Sequence, residues 1–165
     1  MKRIFLKSLV AVAALAAAGA TFAQDIKERA IKFGLNGPET HPAAAGMKKF
    51  AELVQAKSGG KMKVNLFFGA TLGSDQAITT SIQGGTVEMS VMTSGILASL
   101  AKELAIFDFP FLFANEKESD AIVDGPVGKK MHKLLEEKGV VGVAYWELGY
   151  RHITNSKRAL NKVED

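Results

Sequence analysis

The sequence of 165 residues carries 21 basic and 17 acidic side chains, giving a formal net charge of +4, and it contains no cysteine. A chain without cysteine forms no disulfide, holds no metal through thiolates and has no cysteine to carry a lipid anchor. Three of the basic residues lie in the first seven positions. The remainder is therefore nearly neutral and lacks the basic signature of nucleic-acid binding.

The first 23 residues are predicted to be a cleavable secretory signal peptide. A basic start precedes an apolar run, Leu9–Gly19, and the small residues before the junction predict cleavage after Ala23. The alternative, a transmembrane anchor, needs roughly twenty apolar residues, and this run has about eleven. With an export signal and no cysteine for a lipid, we expect a soluble periplasmic protein.

After the leader, the hydrophobic pattern predicts strands that alternate with helices. The predicted strands are Ala30–Asn36, Lys61–Phe68, Val87–Met92, Val140–Tyr145 and Tyr150–Ser156. The predicted helices are Pro42–Lys57, a short helix capped by Ser74 or Asp75 that ends at Gln83, a helix or helical turn over Ile96–Leu104, Glu116–Val123 and Val127–Lys138. The segment Val140–Tyr145 is continuously apolar, which is typical of a strand buried on both faces. This order of elements predicts a mostly parallel α/β sheet.

Ligands of such sheets bind outside the carboxyl ends of the strands, near the point where the strand order reverses. The loops that follow Leu35, Phe68, Met92 and Tyr145 are therefore the expected binding region.

Two residues are candidates for ligand contact on their local pattern alone. His41 stands before Pro42 at the start of a predicted helix, where backbone N–H groups and the helix dipole favour anions. The alternative is an ordinary loop histidine. Arg151 lies among aromatic residues, where it could hold a carboxylate through two parallel hydrogen bonds. The alternative is a surface arginine paired with Glu147, and the pattern does not separate the two.

Enzyme chemistry has no comparable support in the sequence. His41, His132 and His152 do not share the spacing of metal ligands, so we expect no metal site. The chain has no nucleophile elbow, no complete phosphate loop and no pair of carboxylates tied by spacing. We therefore expect a protein that is not an enzyme and that uses no cofactor.

Six short motifs follow one another along the chain. They are Lys32-Phe33-Gly34-Leu35-Asn36, His41-Pro42, Leu72-Gly73, Gly85-Thr86-Val87-Glu88-Met89, Phe109-Pro110-Phe111-Leu112-Phe113 and Gly149-Tyr150-Arg151-His152-Ile153-Thr154-Asn155. In this order and spacing, the chain resembles the DctP-type solute-binding subunits of tripartite ATP-independent periplasmic (TRAP) transporters. No single motif is specific, but the likeness extends over essentially the whole chain after the leader.

The resemblance implies a type II periplasmic-binding-protein-like fold, in which two α/β domains are joined by hinge strands and a long helix. It divides this chain into a signal peptide (1–23), an incomplete first ligand-binding domain (24–148), and a hinge strand with the start of a second domain (149–165). It also implies a receptor, expected to be a monomer, that traps an organic acid and delivers it to the membrane permease subunits of a TRAP transporter.

The same resemblance carries ligand-contacting positions onto this chain. Arg151 matches an arginine near the first hinge that contacts the ligand. Thr93 departs from members that place a carboxylate there, and threonine suits a neutral hydroxyl or a simple acid better. The other expected cleft positions are Asn36 in the first loop, His41, Asp75 and Trp146.

Two features predict that the chain is only part of such a receptor. Ala159–Asp165 is polar and has no capping or packing pattern. In the family, the second domain supplies the arginine of the main salt bridge, and the first sheet receives a strand from later in the chain. We therefore expect an incomplete sheet, half a cleft, and weak or absent ligand binding by these 165 residues alone. A receptor for a sensor kinase or another transporter, and a periplasmic enzyme, remain alternatives.

Overall fold

The computed structural model describes residues 26–150, 154–160 and 162. Three strands form its sheet: β1 (Arg29–Leu35), β2 (Met62–Phe67) and β3 (Met89–Val91). Five α-helices and one 3₁₀ helix accompany them: α1 (Pro42–Lys57), α2 (Asp75–Gln83), α3 (Ser94–Leu97), the 3₁₀ helix (Lys102–Asp108), α4 (Glu116–Val123) and α5 (Pro126–Glu136). The predicted signal peptide and Arg151 lie outside the described residues.

The three strands are parallel and stand in the order β2-β1-β3. Strand β1 pairs with β2 from Arg29↔Met62 onward, and with β3 from Phe33↔Met89 to Leu35↔Val91. Parallel neighbours need a crossover, and α1 and α2 provide the two crossovers. The predicted parallel α/β sheet is confirmed.

Helix α1 covers one face of β1 with small and flexible side chains. Phe33 and Leu35 form a buried cluster with Ala43, Ala44 and Met47 of this helix. The opposite face of β1 receives α2 at Gly34, where an added Cβ would lie 3.2 Å from Leu72 Cδ1 and 3.6 Å from Ile78 Cδ1. The alternation of side chains along β1 thus places one helix on each face.

Strand β3 is shorter than the predicted Val87–Met92 because its first residues are bonded elsewhere. The N–H groups of Thr86 and Val87 both donate to the carbonyl oxygen of Ser81, at 2.9 and 3.3 Å. At the next position, the Glu88 carboxylate accepts the backbone N–H of Lys32 at 2.7 Å, in place of a backbone partner. Ladder pairing therefore begins only at Met89.

A second buried cluster joins the elements that follow the sheet. Ala101 and Leu104 of the 3₁₀ region pack against Met131 and Leu135 of α5. Helix α5 ends before Gly139, whose φ is +77°. The predicted helical turn over Ile96–Leu104 is resolved into α3 and a 3₁₀ helix that continues to Asp108.

The predicted strand Val140–Tyr145 is wrong. The segment pairs with no strand among residues 26–150. Val141 and Val143 are 69% and 72% exposed, so neither is buried on two faces. Its apolar character is typical of a buried strand, but no strand of the described residues forms backbone hydrogen bonds with it. The predicted strand Tyr150–Ser156 falls partly outside the described residues, and its described positions are not strand.

Candidate functional site

The strand order places a switch point between β1 and β3. The chain leaves β1 through α1 toward β2, and then crosses back through α2 to reach β3 on the other side of β1. In open parallel sheets, the loops at such a switch point usually diverge and leave a ligand-binding crevice at the carboxyl ends of the strands. Because Leu35 pairs with Val91, the residues that follow each strand, Asn36 and Met92-Thr93, begin at the same edge of the sheet.

Asn36 and Asp75 are joined at this edge. The amide nitrogen of Asn36 donates to Oδ2 of Asp75 at 3.2 Å, and both side chains are half-buried. Asp75 is the first residue of α2, whose start is capped by the Ser74 hydroxyl accepting from Ala77 N–H. The bond between Asn36 and Asp75 orients the Asn36 amide. The Asp75 carboxylate and the Asn36 amide carbonyl remain as hydrogen-bond acceptors beside the crevice.

Thr93 lies at the N-terminal boundary of α3, two residues after β3. Its backbone is extended, and its side chain makes no capping hydrogen bond to the helix. Threonine at such a position usually satisfies an N–H of the first turn. A half-buried hydroxyl that is not used for capping can instead donate to, or accept from, a group in the crevice.

His41 caps helix α1. Its Nδ1 accepts the backbone N–H of Ala43 at 3.2 Å, so the neutral ring carries its proton on Nε2, which is a donor. The ring also lies against Gly37, where an added Cβ would be 3.0 Å from Cδ2. His41 thus caps the helix through Nδ1, and its Nε2 remains available for contact with a ligand.

The loop Gly69–Gly73 follows Phe68 and belongs to the binding region expected from the sequence. Gly69, Ala70 and Gly73 all have φ between +60° and +103°, which makes a tight turn that favours glycine. The N–H of Gly69 donates to the carbonyl oxygen of Gly37 at 2.8 Å, so the loops after β1 and β2 are bonded to each other. The two glycines were the available sequence signal.

Trp146 packs on the other face of the sheet. Its ring stands edge-on to Phe33 at a centroid distance of 6.3 Å and lies against Gly46 of α1, where an added Cβ would be 3.0 Å from Cζ3. Asn36, by the alternation along β1, is on the α2 face. The structure therefore gives Trp146 a packing contact on the side of the sheet opposite Asp75.

The two interpretations of Arg151 stay open, because it lies outside the described residues. Its alternative partner, Glu147, faces the carboxylates of α4. The negative charge of Glu116, followed by desolvation and the charge of Asp120, raises the pKa of the Glu147 carboxyl. In residues 26–150 and the described positions beyond, no group of three His, Asp or Glu could hold a metal ion, and no helix is long and apolar enough to cross a membrane.

Residues 33–165 match the family model DctP, which describes bacterial extracellular solute-binding proteins of family 7. This chain belongs to the DctP family. A TRAP periplasmic solute-binding protein from Ochrobactrum anthropi is 46% identical with a TM-score of 0.81, and the match covers 85% of this chain and 44% of that one. The sugar-acid-binding protein DctPAm from Advenella mimigardefordensis, solved with galactonate, is 43% identical with a TM-score of 0.77, covering 81% and 43%.

A curated relative covers nearly the whole chain. The 2,3-diketo-L-gulonate-binding periplasmic protein YiaO of Escherichia coli is 32% identical over 97% of this chain and 49% of its own length. The chain thus spans about half the length of this relative, and less of the two solved structures. The fold is that of the type II periplasmic binding proteins, and the resemblance to TRAP solute-binding subunits is confirmed.

Proposed function

We propose that this DctP-family chain forms the first ligand-binding lobe of a periplasmic receptor that captures a hydroxylated organic acid for a TRAP-type permease. The observation that carries the proposal is the hydrogen bond between Asn36 and Asp75 at the carboxyl end of β1. The register Leu35↔Val91 brings the end of β3, two residues before Thr93, to the same edge of the sheet. In this proposal residues 1–23 are the cleaved export signal, residues 24–148 form the lobe, and residues 149–165 lead into the second domain. The receptor acts as a monomer and performs no reaction on its ligand.

The polar side chains at the crevice suit a ligand with hydroxyl groups. The Asp75 carboxylate can only accept hydrogen bonds when ionised, and a ligand hydroxyl can donate to it. A second ligand carboxylate placed there would instead meet a like charge, which is unfavourable at short range. Relatives support this choice, since galactonate and 2,3-diketo-L-gulonate both carry hydroxyl groups beside one carboxylate.

The ligand carboxylate needs donors, and two of them are proposed in this chain. Arg151 would hold it through a bidentate pair, and Nε2 of His41 offers a further N–H. The second domain would contribute the remaining contacts. A ligand that touches both domains binds the closed arrangement more tightly than the open one, and this difference drives closure.

We expect the 165-residue chain to bind galactonate at least 100-fold more weakly than the full-length receptor. Losing the donors of the second lobe removes charge-assisted hydrogen bonds of about 1.5–3 kcal/mol each, and about 1.4 kcal/mol corresponds to a factor of ten. Isothermal titration calorimetry of both proteins with galactonate, gulonate and succinate makes the comparison. Tight binding by the short chain would contradict the half-cleft, and the absence of any acid binding by the full-length protein would contradict the receptor function.

Asp75→Asn in the full-length receptor should weaken binding of a hydroxylated acid by about tenfold, because a charged acceptor is replaced by a neutral one. Succinate should lose nothing or gain, since a repulsive charge is removed. The new amide oxygen can still accept from Asn36, so the local structure is retained. Competition titrations with the two acids measure the ratio.

A matched control is Asp124→Asn, because Asp124 is exposed at the end of α4. This variant should leave both affinities unchanged. Equal losses for galactonate and succinate in Asp75→Asn would show that Asp75 stabilises the lobe and does not select the ligand.

A further inference from the structure

After its first residue, the segment Val140–Trp146 is held by side-chain contacts. It has no ladder partner among residues 26–150, and Val141 and Val143 point to solvent. Val140 packs against the second buried cluster, formed by Ala101, Leu104, Met131 and Leu135. The N–H of Val140 also donates to the carbonyl oxygen of Leu135 at 3.0 Å. What fixes the rest of the segment must be sought in its remaining residues.

Tyr145 anchors the segment to α5. Its ring is stacked on the imidazole of His132, with a centroid distance of 4.5 Å and an interplanar angle of 7°. Its hydroxyl donates to the carbonyl oxygen of Gly128 at 3.1 Å, and its ring meets Phe107 edge-on at 5.7 Å. The imidazole of His132 also lies directly against Gly142, where no Cβ would fit. One histidine therefore contacts two residues of the segment.

Trp146, the next residue, anchors the segment to a different core. Its contacts are Phe33 of β1 and Gly46 of α1, and Phe33 belongs to the first buried cluster with Leu35 and Met47. Phe107, against which Tyr145 packs, is packed against the second cluster. Two consecutive aromatic side chains thus connect the two clusters of the lobe.

We propose that Tyr145-Trp146 is an aromatic staple that joins the sheet cluster to the α5 cluster, and that protonation of His132 loosens the Tyr145 half. The staple precedes Gly149 (φ +77°), the residue after which the chain enters the proposed hinge. The staple is made of contacts inside the lobe and is independent of the proposed function. An effect of its release on the hinge depends on the proposed function.

The charged and titratable groups that face His132 come from two elements. Tyr145 lies on its ring from the segment Val140–Trp146, and the charge of Glu136 acts on it from the next turn of α5. Burial lowers the pKa of His132, and Glu136 opposes this effect in part. The folded chain therefore prefers the neutral ring. The contribution of the stack is present above the ordinary histidine pKa of about 6.5 and is lost as the pH falls toward the lower value of the folded chain.

The sole tryptophan of the sequence, Trp146, reports on the staple directly. We expect its emission to shift to longer wavelength as the pH falls from 8 to 5, with a midpoint below about 6.5. His132→Phe keeps an aromatic ring for the stack but cannot take up a proton, so its emission at pH 8 should be retained and the transition lost. A transition with an unchanged midpoint in His132→Phe would overturn the proposal.

Three further measurements separate the staple from other causes. His41→Gln and His152→Gln should both keep the transition, and loss of it in either would assign it elsewhere. Far-UV circular dichroism should stay constant across the transition, since simultaneous loss of helix signal would mean global unfolding and would contradict a local release. If His132→Phe fails to fold, an NMR titration of His132 in Tyr145→Leu replaces it. Loss of the Tyr145 ring should raise the pKa of His132 toward its ordinary value. An unchanged pKa of His132 would refute the role of the stack.

Discussion

Replacing Arg151 by alanine in the full-length receptor is expected to weaken binding of a carboxylate ligand by about 30-fold or more. Truncating one partner of a buried, hydrogen-bonded charge pair costs about 2–5 kcal/mol, and about 1.4 kcal/mol is a factor of ten. The loss should appear in the dissociation rate more than in the association rate, because the contact forms within the closed cleft. Titration calorimetry and stopped-flow fluorescence measure the two quantities.

Arg158→Ala is the matched control for Arg151→Ala. Arg158 is exposed and lies seven positions further along the same segment, and its loss should change the affinity less than twofold. Unchanged affinity in Arg151→Ala would support the other interpretation, in which Arg151 is a surface partner of Glu147. Lysine at position 151 should restore only part of the affinity, since an ammonium group cannot make the bidentate pair.

Met47→Ala should destabilise the lobe by about 2–5 kcal/mol, the usual cost of truncating a large buried side chain. Met47 is fully buried between α1 and β1, in contact with the cluster that contains Phe33 and Leu35. Neighbouring small residues, Ala43 and Ala44, cannot extend into the space that would be left. Urea unfolding measures the loss as a lower midpoint with an unchanged slope.

Leu53→Ala on the same helix provides the comparison. Leu53 is 42% exposed, so the same kind of truncation should cost about 0.5 kcal/mol or less. Alanine has the highest helix propensity, so helix propensity cannot cause a loss in either variant. Similar losses in both variants would contradict the packing of Met47 against the sheet as the cause.

The local elements were largely predictable from the sequence. The cap at Ser74 follows from side-chain chemistry that acts within a few residues. The bounds of α1 and α4 agree with the prediction to the residue. Strand β3 was predicted too long, because Thr86 and Val87 are bonded to Ser81 in the turn after α2. The next residue, Glu88, is bonded to Lys32, a distant contact that no local pattern records.

The misassigned segment Val140–Tyr145 has a different cause. A continuous apolar run indicates burial but does not say what covers each face. In the structure, Val140 and Tyr145 reach the second cluster while Val141 and Val143 remain exposed. The run therefore lacks the neighbouring strand that would make it part of a sheet.

The site could be located from the sequence only in part. The rule for carboxyl ends of parallel strands points to the loops after Leu35 and Met92, but the bond between Asn36 and Asp75 joins residues 39 positions apart and comes from the fold. Trp146 was expected in the cleft on family resemblance, and its contacts with Gly46 and Phe33 follow from the path of the segment Val140–Trp146. Its role in ligand binding stays a prediction.

The two edges of the sheet differ in a way that affects how the short chain can be handled. Strand β2 carries a lysine and an asparagine on its exposed positions, Lys63 and Asn65, and charge on an edge strand discourages pairing with other molecules. Strand β3, Met89–Val91, carries no charged side chain. The exposed side chains of Val141 and Val143 add apolar surface elsewhere on the lobe. An uncharged edge is a template for intermolecular strand pairing. Protein concentration is therefore the first variable to control when the isolated chain is titrated, since self-association would hide a weak binding signal.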